Sequence, residues 1–153
     1  MKLQLRTAVP LAVLHSMDGH IITRTRMMKL SFLTEVHLRN HHADVAEEFD
    51  FEFYASEYGP YSEELVSDVQ SLDSRDLVTV TEKKVGPKQY AYSMAPNVRR
   101  MLTESAAEDE NVNAIFTSAE AVVNEYGEFR NAELIDHIHQ EHPKYVTGIP
   151  DLT

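Results

Sequence analysis

The sequence predicts a mainly helical fold with one small β-hairpin, and three features carry that expectation. Apolar residues recur at helical spacing through most of the 153 residues. Two short runs rich in β-branched and aromatic residues, 77–81 and 89–94, flank a turn containing Lys83, Lys84, Gly86, Pro87 and Lys88. Between helical segments lies Tyr58-Gly59-Pro60-Tyr61-Ser62-Glu63-Glu64-Leu65. There a Gly-Pro break precedes a hydroxyl that can cap a helix and two carboxylates suited to its positive end.

In chain order, residues 7–17 carry Val9, Leu11, Val13 and Leu14, and Pro10 is tolerable only in a first helical turn. A short helix ended by Asp18-Gly19 is expected. Ile21-Ile22 make a brief extended link, and Thr23 caps a helix over 24–39. Met27, Met28, Leu30, Phe32, Leu33, Val36 and Leu38 cover most of that helix's circumference, so it belongs in the middle of the core. Residues 40–48 are polar and read as a loop or an irregular excursion. Residues 49–54 alternate aromatic and acidic, which fits a strand or an extended packing segment. After the corner, Leu65, Val69 and Leu72 share a narrow stripe, leaving Glu63, Glu64 and Asp68 on an acidic outer face.

The order helix, helix, helix, hairpin is that of a winged helix, so a winged-helix-like core is expected over residues 1–104. A short helix at 98–102 leads into an acidic linker at 104–110. Residues 105–145 then form a C-terminal helical extension. One of its helices carries Ile115, Phe116, Ala119, Val122 and Val123; the other is capped by Asn131, carries Leu134, Ile135 and Ile138, and is ended by Pro143. The extension is expected to pack on the core or on a dimer partner, with 146–153 as a tail.

No apolar run approaches the roughly 18 residues of a membrane span, and the N-terminus lacks the apolar core of a signal peptide, so a cytoplasmic protein is expected. The absence of cysteine excludes disulfides, thiolate metal sites and cysteine nucleophiles. With 25 acidic against 14 basic residues the formal charge is -11, which opposes nucleic acid and anionic membrane at low salt. Few lysines and many scattered carboxylates also suit a halophilic setting. At 1 M salt the Debye length is roughly 3 Å, so net charge decides little there and local surfaces decide more.

Two stretches then carry a family likeness: the apolar, basic helix Arg26-Met27-Met28-Lys29-Leu30-Ser31-Phe32-Leu33, and the Tyr58-to-Leu65 corner followed by a helix ending before Asp76-Leu77-Val78. Together they resemble the YwgA-like proteins and the wider Panacea group of SocA-like antitoxins. Tyr90-Ala91-Tyr92-Ser93-Met94 is similar to that family's hairpin strand, and residues 134–145 to its terminal helix. The sequence departs from the pattern at Arg26 and Met28, and at Asp76, where the family has glycine. The resemblance implies a helix-rich domain with a winged-helix-like core and no known chemistry, associated in Panacea-type domains with toxin neutralisation by direct protein contact.

The residues suggest three kinds of site. For protein contact, the aromatic corner and the acidic helix offer Tyr58, Tyr61, Glu63, Glu64 and Asp68 as an anchor with a charged rim. For DNA, Arg24, Arg26 and Lys29 of the second helix, Arg75, and Lys83, Lys84 and Lys88 of the wing could meet phosphates, but the helix expected in the groove is acidic. For metal, only His139 and His142 share a helical face, and His41-His42 reads as loop. With no phosphate loop or nucleophile elbow, no catalysis, cofactor or metal is expected. The expected function is a non-enzymatic, antitoxin-like interaction domain with a protein partner such as a toxin. The alternative is a dimeric winged-helix transcriptional regulator.

Overall fold

Two helices whose apolar residues cover most of their surface form the centre of the molecule. In the computed structural model, which describes residues 4–48, 53–56, 59–83, 86 and 89–145, the first is α1 (Leu5–Ser16) and the second α2 (Arg24–His41). Ala8, Val9 and Leu11 to Leu14 of α1 are fully buried, and α2 buries residues on every side from Met27 to Glu35. The helix α1 begins two residues earlier than expected, which places Pro10 in its interior rather than its first turn. The two extra residues bring Arg6 onto the helix.

Ile21 is not part of a bare link. It lies in β1 (His20–Ile22), which pairs antiparallel with β3 (Tyr90–Ser93), itself paired with β2 (Thr79–Glu82) in the order β1-β3-β2. The polar stretch expected as loop contains a single-turn helix, α3 (Ala43–Ala46), that buries Val45. Ser62 caps α4 (Glu63–Ser74) as expected, its hydroxyl accepting from the Leu65 amide at 3.2 Å. The order α1, β1, α2, α3, α4, β2, β3, with the third strand central, is winged-helix-like with the single-turn α3 inserted before α4, within a chain that is otherwise helical.

Residues 49–52 of the alternating run lie outside the described residues; at its end, Tyr54 and Tyr61 exchange backbone hydrogen bonds of 3.0 Å. The acidic linker is not observed. The helix α5 (Pro96–Glu108) crosses residues 104–105, and α6 (Glu110–Tyr126) follows after Asp109 alone. Asp109 is extended and its carboxylate accepts from Asn111 N at 2.9 Å and Val112 N at 3.3 Å, so one capping residue makes the break. Asn131 is the first residue of α7 (Asn131–Glu141) rather than its cap; its amide donates to Thr23 Oγ1 at 3.0 Å. Ile115, Ala119 and Val122 of α6 and Leu134 and Ile138 of α7 join the core of α1 and α2, so the apolar stripes of the extension are spent within the chain.

α1 and α4 close the same way. After α4, Leu77 N donates to Leu72 O and Asp76 N to Asp73 O, with Asp76 at φ 60; after α1, Gly19 N donates to Leu14 O and Asp18 N to His15 O, with Asp18 at φ 58. Each aspartate occupies the left-handed position that glycine takes without a Cβ penalty. Replacing Asp76 by glycine is therefore expected to raise stability by about 0.5–1 kcal/mol, read as a higher urea midpoint at unchanged slope.

Candidate interaction surface around the Gly-Pro corner

Lys29 holds the corner. Its side chain is only 3 % exposed, and its ammonium donates to Pro60 O at 3.3 Å. One residue earlier, Met28 presents its sulfur to the Ser62 amide at 3.4 Å, so α2 engages both ends of the Pro60–Ser62 segment. Gly59 sits at φ 105, and a Cβ there would come within 2.8 Å of Lys29 Cε, so backbone conformation and space both require glycine. Ser56 closes the turn from the other side, with its hydroxyl donating to Gly59 O at 2.6 Å. Burial lowers the Lys29 pKa to about 8.

The acidic helix is tied down at its base. Arg6 donates to both carboxylate oxygens of Asp68, at 2.8 and 2.9 Å, and to Glu64 at 3.1 Å. Asp68, expected on the solvated face, is 8 % exposed and belongs to the α1–α4 contact. Its fork geometry is the strong form of a charge-assisted pair. The exposed side of α4 carries Glu63, Ser67, Gln70 and Asp73. Tyr54 is 46 % exposed, with its ring 5.7 Å from that of half-buried Tyr61 and the Glu63 carboxylate nearby. Tyr61 and Glu63 therefore adjoin one patch, Glu64 lies at its edge, and Asp68 lies beneath it. Tyr58 lies outside the described residues.

The cations proposed to meet phosphates are dispersed. Lys29 is interior. Arg26 donates to Gly127 O at 3.0 Å and to Phe129 O, just past the end of α6. Arg24 lies over the Tyr90 ring, 4.1 Å from its centroid. Arg75 follows the last turn of α4, and Lys83 extends from β2 with its amide donating to Gln89 O at 2.7 Å. Lys84 and Lys88 lie outside the described residues.

Sequence spacing missed two groupings. Arg6 was invisible as a partner because it precedes the stretch expected to be helical, although Glu64 and Asp68 at i,i+4 already signalled two carboxylates on one line. Spacing within a segment pairs only His139 with His142, whereas His37 and His41 of α2 face His137 and His142 across a cleft of about 460 Å³ that also meets Glu125, Tyr126 and Glu141. His37 and His41 stack at 4.1 Å, and His37 shares a hydrogen bond of 2.9 Å with Ser118. Burial lowers the His37 and His142 pKa values, helped by neighbouring imidazoles. Among the described residues no three of these side chains are placed to hold a metal ion. No described helix is long and apolar enough to cross a membrane. No protein-family model and no curated protein matches the chain.

Two tests address the corner. Gly59→Ala is expected to cost about 1–3 kcal/mol, visible as a lower denaturation midpoint. For Lys29, the folded pKa near 8 lies below the unfolded value of 10.5, so the unfolded chain binds more protons between them and stability rises with pH in that window. The wild type should gain about 2 kcal/mol relative to Lys29→Met between pH 7.5 and 9.5, below the tyrosine range. Parallel pH profiles for the two proteins would refute the assignment.

Proposed function

We propose that this protein is a non-enzymatic, cytoplasmic interaction domain that acts by contacting another protein, in the manner implied by its resemblance to SocA-like antitoxins. The observation that carries the proposal is the orientation of charge around α4. In a winged helix the helix before the hairpin enters the groove, yet here that helix exposes Glu63 and Asp73 and directs Asp68 and Glu64 to Arg6. Of the three α2 cations expected to offset those carboxylates, two are engaged internally, Lys29 at Pro60 and Arg26 at Gly127 and Phe129, and Arg24 lies over the Tyr90 ring. A phosphate-lined groove would meet like charge with little compensation.

The same face suits a protein partner. Tyr54 and Tyr61 supply aromatic area, and Glu63 supplies a charged rim that favours a basic partner. A molecule with formal charge -11 would attract such a partner from a distance at low salt and rely on the aromatic contact at high salt.

The test pairs two measurements. A mixed-sequence 30-base-pair duplex at 50 mM salt is expected to show no binding tighter than ~100 μM, the weak end of nonspecific affinity. A partner retained stoichiometrically by the wild type should be lost by Tyr61→Ala with Glu63→Lys at unchanged melting temperature. Duplex binding that weakens steeply with salt and disappears in Lys83→Glu would establish the regulator alternative instead.

A further inference from the structure

Arg24 occupies an unusual setting for a protein so rich in acids. Among the described residues no carboxylate ion-pairs with it; its guanidinium lies over the Tyr90 ring, 4.1 Å from the centroid, with Tyr92 and Tyr61 nearby. Burial works against its charge, and the tyrosine oxygens more than offset that, holding its pKa above the ordinary value. Arg6, by contrast, has two carboxylates and Arg26 two carbonyls.

Beside Arg24 opens a cavity of about 70 Å³ between α2, α4 and the sheet. Its floor is Met27, Met28, Leu65 and Val69, all buried, and its half-buried rim includes Val66 and Tyr90. The interior is apolar and the rim carries one cation. About 30 Å³ is a water's share of liquid volume and about 150 Å³ accommodates benzene, so this space takes a tail of about three or four carbons.

The backbone fixes the cation in place. Thr23 has φ 85 and ψ 139, a conformation that a β-branched residue rarely adopts. It is held there by its amide donating to Tyr90 O at 2.7 Å and by its hydroxyl accepting from Arg26 N and Asn131 Nδ2. Strain retained by three contacts next to a cation is what a preformed ligand clamp requires.

We propose that Arg24 and this cavity form a binding site for a carboxylate on a short branched apolar tail, the guanidinium pairing with the carboxylate while the tail fills the space between α2 and α4. The cavity shares Leu65 and Met28 with the corner, but the proposal does not rest on the protein-contact reading. A free short-chain acid and the C-terminal valine or leucine of a polypeptide present the same chemistry.

The test is a titration followed by amide chemical shifts at 1 M KCl, where the Debye length of about 3 Å screens the molecule's overall charge. Isovalerate is the free-acid probe, and a pentapeptide ending in valine with a free carboxylate is the other, alongside its C-terminal amide. At least one carboxylate is expected to bind saturably, with shifts at Met28, Val69 and Tyr90. Isoamyl alcohol or the amidated peptide should bind at least tenfold more weakly. Arg24→Gln should weaken binding at least tenfold, and Val66→Phe, which narrows the cavity without touching the cation, should abolish it. Preference for isovalerate would identify a metabolite site, and preference for the peptide a chain-terminus site. Absence of saturable shifts with both carboxylates, equal binding of the neutral analogues, or undiminished binding by Val66→Phe would overturn the proposal, and the last two decide it even if Arg24→Gln does not fold.

Discussion

A buried lysine ammonium under a proline carbonyl is the constraint on which the rest of the arrangement depends. Lys29 lies buried on the central helix between Met28 and Leu30, and a cation there is unfavourable unless a polar group meets it. Pro60 O is that group. Because the amine must reach the backbone of the corner, the corner must approach the helix closely, and at Gly59 no side chain can intervene. The position of the corner then sets Ser62 against Met28, Ser62 sets the first turn of α4, and α4 brings Glu64 and Asp68 to Arg6. A local electrostatic requirement thus propagates to the placement of the helix that would read DNA in a winged helix.

The use of cations follows the same logic across the molecule. With 14 basic residues against 25 acidic ones, dispersed surface ion pairs would contribute little, each about 0–1 kcal/mol. Several arginines instead serve half-buried structural junctions. Arg99 donates to His15 O at 3.2 Å at the end of α1, and Arg26 meets the carbonyls just beyond α6, both where a helix presents its negative end. Arg6 joins α1 to α4. The surface is predominantly acidic because acidic residues outnumber basic ones 25 to 14 and Lys29 is the one basic residue among the buried side chains described.

Much of the fold was legible because its signals are local. The stripes of α2, α4, α6 and α7, the caps at Ser62 and Thr23 and the two hairpin strands depend on residues a few positions apart. What escaped depends on distant partners. Ile21 became a strand residue because β3, some seventy residues later, offers its edge. The stretch 104–110 looked like a linker because it lacks large apolar residues, yet a helix continues through it to Glu108 and Asp109 alone interrupts the chain. Asp68 read as solvated because a carboxylate is ordinarily exposed, and only the cation on α1 reverses that. The histidine cleft combines residues about a hundred positions apart, beyond any spacing rule.

Thr23 shows how the two kinds of information meet. As an N-cap it is a local signal, and its hydroxyl accepts from Arg26 N as the motif requires. Its positive φ has no local reason, since a capping residue ordinarily lies in the extended region. The departure arises because the same residue ends β1, donating to Tyr90 O, and receives the amide of Asn131 at the start of α7. Glycine would relieve the conformation, which for a non-glycine residue costs on the order of 1–3 kcal/mol, but it would remove the one oxygen that serves both α2 and α7. Asn131 already has a buried carbonyl oxygen without a hydrogen bond, so loss of its donor's partner would leave the whole amide unsatisfied. The strained threonine is therefore explained by the junction of sheet, central helix and last helix, and it is that junction which holds Arg24 at the rim of its cavity.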